Sequence, residues 1–138
     1  MPKGSDMRPE EIEVIRHTLG LSQAEMAQIC GVGTRMVQRW LSPTDATPTE
    51  VNAAKLRALK QDQYTELDAR LQQAITQHQK SPGTPVEIHY VTDLELLNQM
   101  RGLPIPTRNA QLAFLGILEA LLHAYAIPFT RVYVSSRD

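Results

Sequence analysis

Residues Leu21 to Trp40, LSQAEMAQICGVGTRMVQRW, constrain this chain's fold more than any other stretch. Ser22 is a strong helix N-cap, and Glu25 three residues later completes a capping box. Leu21, Met26, Ile29 and Cys30 fall on the side of that helix expected to be buried. Gly31 ends it, because glycine adopts the left-handed conformation needed past a helix terminus. Ala27 is small enough to let a second helix cross closely. That helix follows at once, from about Thr34.

At 100° per residue the second helix divides into two faces. Val37, Trp40 and Leu41 lie on one side with Met36 at its edge, and are expected to pack on the rest of the domain. Arg35, Gln38 and Arg39 lie on the other, flanked by Thr34. Arginine can bond guanine O6 and N7 in bidentate fashion, and glutamine can do the same for adenine N6 and N7. Any surface helix has a polar face. One that follows a capped helix and the Gly31-Val32-Gly33 turn points to base reading in the major groove.

The stretch resembles the helix-turn-helix of phage Cro and cI repressors, the XRE family. The residues that carry the likeness are Ser22-Gln23, Ala27, Gly31-Val32, Val37 and Arg39-Trp40. The resemblance covers Arg8 to about Lys60. It implies base reading by Thr34, Arg35 and Arg39, with Gln38 facing the same way, and a phosphate contact from Gln23. It also implies phosphate contacts from the following loop, at Ser42 and Thr44. That loop departs from the family pattern: Trp-Glu-x-Gly is usual, whereas Trp40 here precedes Leu41-Ser42-Pro43.

The 138 residues can hold one ordinary domain, or a small domain with an appended module. A hydrophobic share of 42% and a charged share of 21% are those of a globular protein. The lone cysteine excludes an internal disulfide, and Met1 to Asp6 has no apolar core for a signal peptide. A cytoplasmic setting is expected. The net charge of −1 would suit a DNA binder poorly if it were spread evenly. It is not, because Thr34 to Lys60 carries five bases and two acids, whereas Gln61 onward carries six bases and eight acids. Phosphate attraction follows the local charge, so a modest, salt-dependent affinity is expected.

In chain order, 1–7 reads as a disordered leader. Pro9 to Leu19 reads as a helix with Pro9 at its first position, acids in its first turn and Gly20 past its end. A long helix starts at Thr47-Pro48-Thr49-Glu50, with Thr47 as N-cap, and runs to about Gln79. Its Val51, Ala54, Ala58 and Leu59 would close the first domain, and Tyr64, Leu67, Leu71, Ala74, Ile75 and His78 continue an apolar stripe. Ser81 to Pro85 is a linker. Val86 to Val91 alternates as a strand, Thr92 caps a short helix ending at Arg101-Gly102, and Leu103 to Pro106 is loop. Thr107 starts a helix to about Tyr125, and Phe129 to Val134 is a second strand. The expected fold is mainly α: a helix-turn-helix domain (8–60), an extended helix (61–80), and a small α+β dimerisation module with two short strands (81–138).

The helix after Thr107 is apolar nearly all round, more than so small a module can cover alone. Two strands also make a marginal sheet. Both point to a second copy, with Leu112, Leu115, Leu118, Leu122 and Val132 as dimerisation residues. A homodimer also suits a palindromic operator of double-stranded DNA. The layout is similar to short bacterial and phage regulators with a C-terminal dimerisation module, such as the autorepressors encoded beside anti-CRISPR genes. The four histidines show no metal-ligand spacing and Cys30 sits on a buried helix side, so no catalysis, metal or cofactor is expected. The leading expectation is a homodimeric, sequence-specific transcriptional repressor. The alternatives are an antitoxin or adaptor whose C-terminal module binds another protein, and an interaction domain without DNA binding, in which Arg35 and Arg39 would be held in internal ion pairs.

Overall fold

The protein is described by a computed structural model over residues 4–43, 46–99 and 107–136. It is mainly helical, with one two-stranded parallel sheet near the C-terminus. Two compact units divide the chain, Met1–Asp62 and Gln63–Asp138. Thr44, the end of the short helix at Arg101-Gly102, and the Leu103 to Pro106 loop lie outside the described residues.

Unit 1 begins with α1 (Pro9–Leu19), α2 (Gln23–Cys30) and α3 (Thr34–Leu41). Pro9 opens α1, and Glu10 and Glu11 face the positive end of its dipole. Gly20 (φ 66°) and Gly31 (φ 68°) close α1 and α2 in the left-handed region. In each case the next two N–H groups fold back on the last turn, Leu21 N–H to Arg16 O at 2.9 Å and Val32 N–H to Ala27 O at 3.0 Å. Ile12, Ile15 and Leu19 of α1 are buried as the spacing predicts, as are Met26, Ala27 and Cys30 of α2, while Ile29 is only half-buried.

The leader expected over 1–7 is, from Gly4 onward, part of this unit. Gly4 forms an antiparallel bridge with Thr49, Ser5 N–H donates to Pro48 O at 2.8 Å, and Met7 is fully buried. Burying an apolar side chain of that size contributes about 1.5–3 kcal/mol, enough to order a short segment. The same contact moves the start of α4 (Glu50–Lys80). Pro48 lends its carbonyl to Ser5, so Thr49 becomes the cap in place of Thr47, accepting from Asn52 N–H at 3.2 Å. The buried stripe of α4 also differs from the expected one in its first half. Ala53 and Leu56 face the core, while Val51 is 72% exposed and Ala54 and Ala58 face solvent.

Unit 2 is built from the rest of α4 with β1 (Val86–Val91), α5 (Leu94–Gln99), α6 (Arg108–Ala124) and β2 (Phe129–Val134). Leu67, Leu71 and Ala74 continue the stripe, whereas Tyr64 is 42% exposed and its neighbour Gln63 is buried instead. The strands pair in parallel, from Val86↔Phe129 to Val91↔Val134, because α5 and α6 carry the chain back across before β2 begins. The core joins α4, the sheet and α6 through Leu71, Ile88, Phe114, Leu118, Leu122 and Ile127. Thr107 caps α6 as expected, accepting from Ala110 N–H at 3.1 Å. Asp93, not Thr92, caps α5: its Oδ1 accepts from Leu96 N–H at 2.8 Å, while Thr92 bonds Val134 O.

Candidate nucleic-acid interface

The α2–α3 pair is fixed from both ends. Ser22 Oγ accepts from Glu25 N–H at 3.1 Å, and Glu25 Oε1 accepts from Ser22 N–H at 2.8 Å, so the capping box is complete. Arg16 of α1 steadies the approach to α2: it is held by Glu13 at 2.9 Å and donates to Leu21 O at 3.2 Å. At the other end of α2, Lys55 Nζ donates to Ile29 O at 3.2 Å, placing a cation at the negative end of that helix. The contributions of Arg16 and Lys55 were not legible in spacing, since their partners are backbone carbonyls brought close only by folding.

Packing sets how α3 rolls. Val37 is fully buried and Trp40 is 2% exposed, so the helix cannot rotate about its axis without exposing both. Thr34, Arg35, Gln38 and Arg39 are therefore all exposed on the opposite face. Met36 lies at the edge, 36% exposed, as its angle predicts. Arg35 makes no ion pair with any described residue. Gly33, the α3 N-cap, puts no side-chain hydrogen bond over the first turn, where Met36 N–H bonds Gly33 O at 3.0 Å.

The expected phosphate residues behave differently from one another. Gln23 is half-exposed at the first position of α2. Ser42 Oγ donates its proton to Gln38 O at 2.9 Å, so its hydroxyl stands as an acceptor toward solvent unless that bond breaks. The positive charge after α3 is smaller than the sequence count suggests. Arg57 is held in two-point contact by Glu11, at 2.7 and 2.8 Å, with Asp6 at 3.1 Å.

Of the residues expected at a dimer interface, Leu115, Leu118 and Leu122 belong to the core of their own unit. The expectation fails there because β1, β2 and α4 cover that side of α6. Leu112, 46% exposed, and Val132, half-buried, remain at the surface. Opposite the core, α6 presents Leu112 and Gly116 to solvent, while Ile117 and Leu121 are partly buried against the core.

Other chemistry-bearing groups have structural surroundings. Burial pushes the Cys30 thiol above its ordinary pKa, which keeps it protonated. Glu119 is bonded by Arg131 at 2.7 and 2.8 Å and by the Tyr90 hydroxyl, and the Arg131 contact holds its carboxyl below the usual range. Burial and that carboxylate together raise the Tyr90 pKa. Among the described residues no three His, Cys, Asp or Glu side chains lie together as metal ligands would, and no helix is long and apolar enough to cross a membrane. No family model matches the chain, and a comparison with curated proteins finds no match either.

Proposed function

We propose that the protein is a sequence-specific DNA-binding regulator, a homodimeric repressor that binds an inverted-repeat operator. The observation that carries this reading is the α3 surface: Thr34, Arg35, Gln38 and Arg39 exposed together, over a face locked by Val37 and Trp40. An eight-residue helix of this kind fits the major groove, and its arginines and glutamine have the donor patterns that distinguish guanine and adenine edges. The likeness to XRE-type repressors, carried by Ser22-Gln23, Ala27, Gly31-Val32, Val37 and Arg39-Trp40, supports the same reading. Repression would follow from occupying a promoter and excluding polymerase.

Selection of bound DNA from a random library tests the reading, with a salt titration on the winning site. Enrichment of an inverted repeat with half-sites about one turn apart supports a dimeric regulator. A second reading, an adaptor or antitoxin whose C-terminal unit binds another protein, is favoured by exposed apolar groups on unit 2. Leu112, Tyr125 and Tyr133 are 46%, 57% and 64% exposed. The two readings part on oligomeric state: a stable dimer of the isolated protein favours the first, a monomer the second.

A further inference from the structure

In the two-stranded sheet, Val86 N–H bonds Pro128 O at 2.9 Å and Thr92 N–H bonds Val134 O at 2.8 Å, both toward β2. Alternation along a strand then turns the backbone N–H and C=O of Glu87, His89 and Val91 toward the other edge. At Val91 that edge is closed by a side chain. Gln111 of α6, 2% exposed, accepts from Val91 N–H at 2.8 Å and donates to Val91 C=O at 2.9 Å. One buried amide thereby makes the pair of bonds that a residue of an antiparallel third strand would make. Among the described residues no side chain does the same for Glu87 and His89.

Beside those two residues lies a cavity of about 320 Å³. Its floor is apolar, formed by Ala74, Phe114 and Leu118, and Gln73 and Gln77 of α4 stand at its rim. Val86 and Ile88 line it together with Glu87 and His89, so it runs along the strand edge and not over one face. Protein interiors leave few voids larger than a water molecule, and this volume falls in the range of binding sites.

We propose that the β1 edge at Glu87 and His89 is a docking site for an extended polypeptide segment of a partner protein. The segment adds an antiparallel third strand and seats one apolar side chain in the cavity. A polypeptide is the occupant whose chemistry is already written at the next position, where an amide fills the edge at Val91. Gln73 and Gln77 add neutral donors and acceptors, which suit peptide groups better than an ion. Arg70, the one guanidinium in the lining, is held by Glu66 at 3.1 Å. Strand addition of this kind takes its affinity from main-chain bonds and its selectivity from alternate side chains. The site is separate from α3 and does not depend on DNA binding.

The test uses the full-length protein, a terminally blocked peptide of alternating valine and threonine, and the same peptide N-methylated throughout. Amide hydrogen exchange at Glu87 and His89 is followed during titration. The expected result is saturable binding that slows exchange at both amides by about tenfold or more. Binding should be lost with the N-methylated peptide. It should also weaken by about tenfold or more in Gln77→Trp, which fills the cavity mouth from an exposed position and leaves the core intact. Unchanged exchange at a saturating peptide concentration overturns the proposal, as does equal binding of the N-methylated peptide. Slow exchange without peptide that is lost on dilution also overturns it, because a second copy would then occupy the edge.

Discussion

Arg35 stands on α3 with no ion pair to any described residue, so engaging a base edge would break no existing salt bridge. Arg35→Ala should therefore cost about 1–3 kcal/mol of specific binding and leave the melting temperature unchanged. Titration on the selected operator beside a thermal melt checks this, and undiminished affinity would remove the base-reading role. Asp93 gives a stability test. Its carboxylate accepts from Leu96 N–H, Ser136 N–H and two serine hydroxyls, and these bonds hold its pKa well below the ordinary 3.8. A depressed carboxylate stabilises the fold above its unfolded pKa and loses that effect as pH falls through the folded one. Asp93→Asn should thus be less stable than the parent at neutral pH in urea melts, with the gap narrowing below about pH 4. A gap that does not change with pH would mean the carboxylate's charge is not what matters there. The Ser22 and Glu25 box was legible because its bonds span three residues. Thr47 and Thr92 misled because Thr49 and Asp93 are also good caps, and bonds to distant groups, Ser5 N–H on Pro48 O and Thr92 on Val134 O, accompany the choice between them.

Helix ends show the same contrast between local and distant causes. α1, α2 and α6 all finish with two backward hydrogen bonds, and the first two use glycine in the left-handed position. The third uses Ala126 at φ 56°, with Ala126 N–H on His123 O at 3.0 Å and Ile127 N–H on Leu122 O at 2.9 Å. A Cβ in that region costs roughly 1–2 kcal/mol. Ala126→Gly should therefore stabilise unit 2 by about 1 kcal/mol, partly offset by greater unfolded-chain entropy. Chemical denaturation measures it, and a loss of stability would show that the methyl makes contacts worth more than the strain. This left-handed alanine could not be read in advance, since no glycine marked the turn. The stripe of α4 was legible in period but not in phase. Leu67, Leu71 and Ala74 face inward as expected, and the first half continues the same stripe with Ala53 and Leu56, where Val51, Ala54 and Ala58 had been expected. Parallel pairing of the strands depended on the crossover, which leaves no local trace.

For the whole chain, the expectation of a partner for α6 rested on an apolar circumference. The structure divides that circumference: Leu118 and Leu122 are inside the unit, and Leu112 is outside. Leu122→Ala should cost about 2–5 kcal/mol of folding stability, as for other filled core positions. Leu112→Glu should leave folding nearly unchanged and weaken self-association, read by sedimentation at micromolar concentration. A dimer that survives Leu112→Glu would place the interface elsewhere on unit 2. The division into Met1–Asp62 and Gln63–Asp138 gives the second unit a longer share of α4 than its linker suggested, because Leu67, Leu71 and Ala74 complete its core. Whether α3 reads DNA sequence, as proposed, is decided by selection from a random duplex library. Base reading by α3 predicts enrichment of an inverted repeat, lost in Arg35→Ala. A library that emerges unenriched above background, from protein that is folded and at low salt, would contradict it.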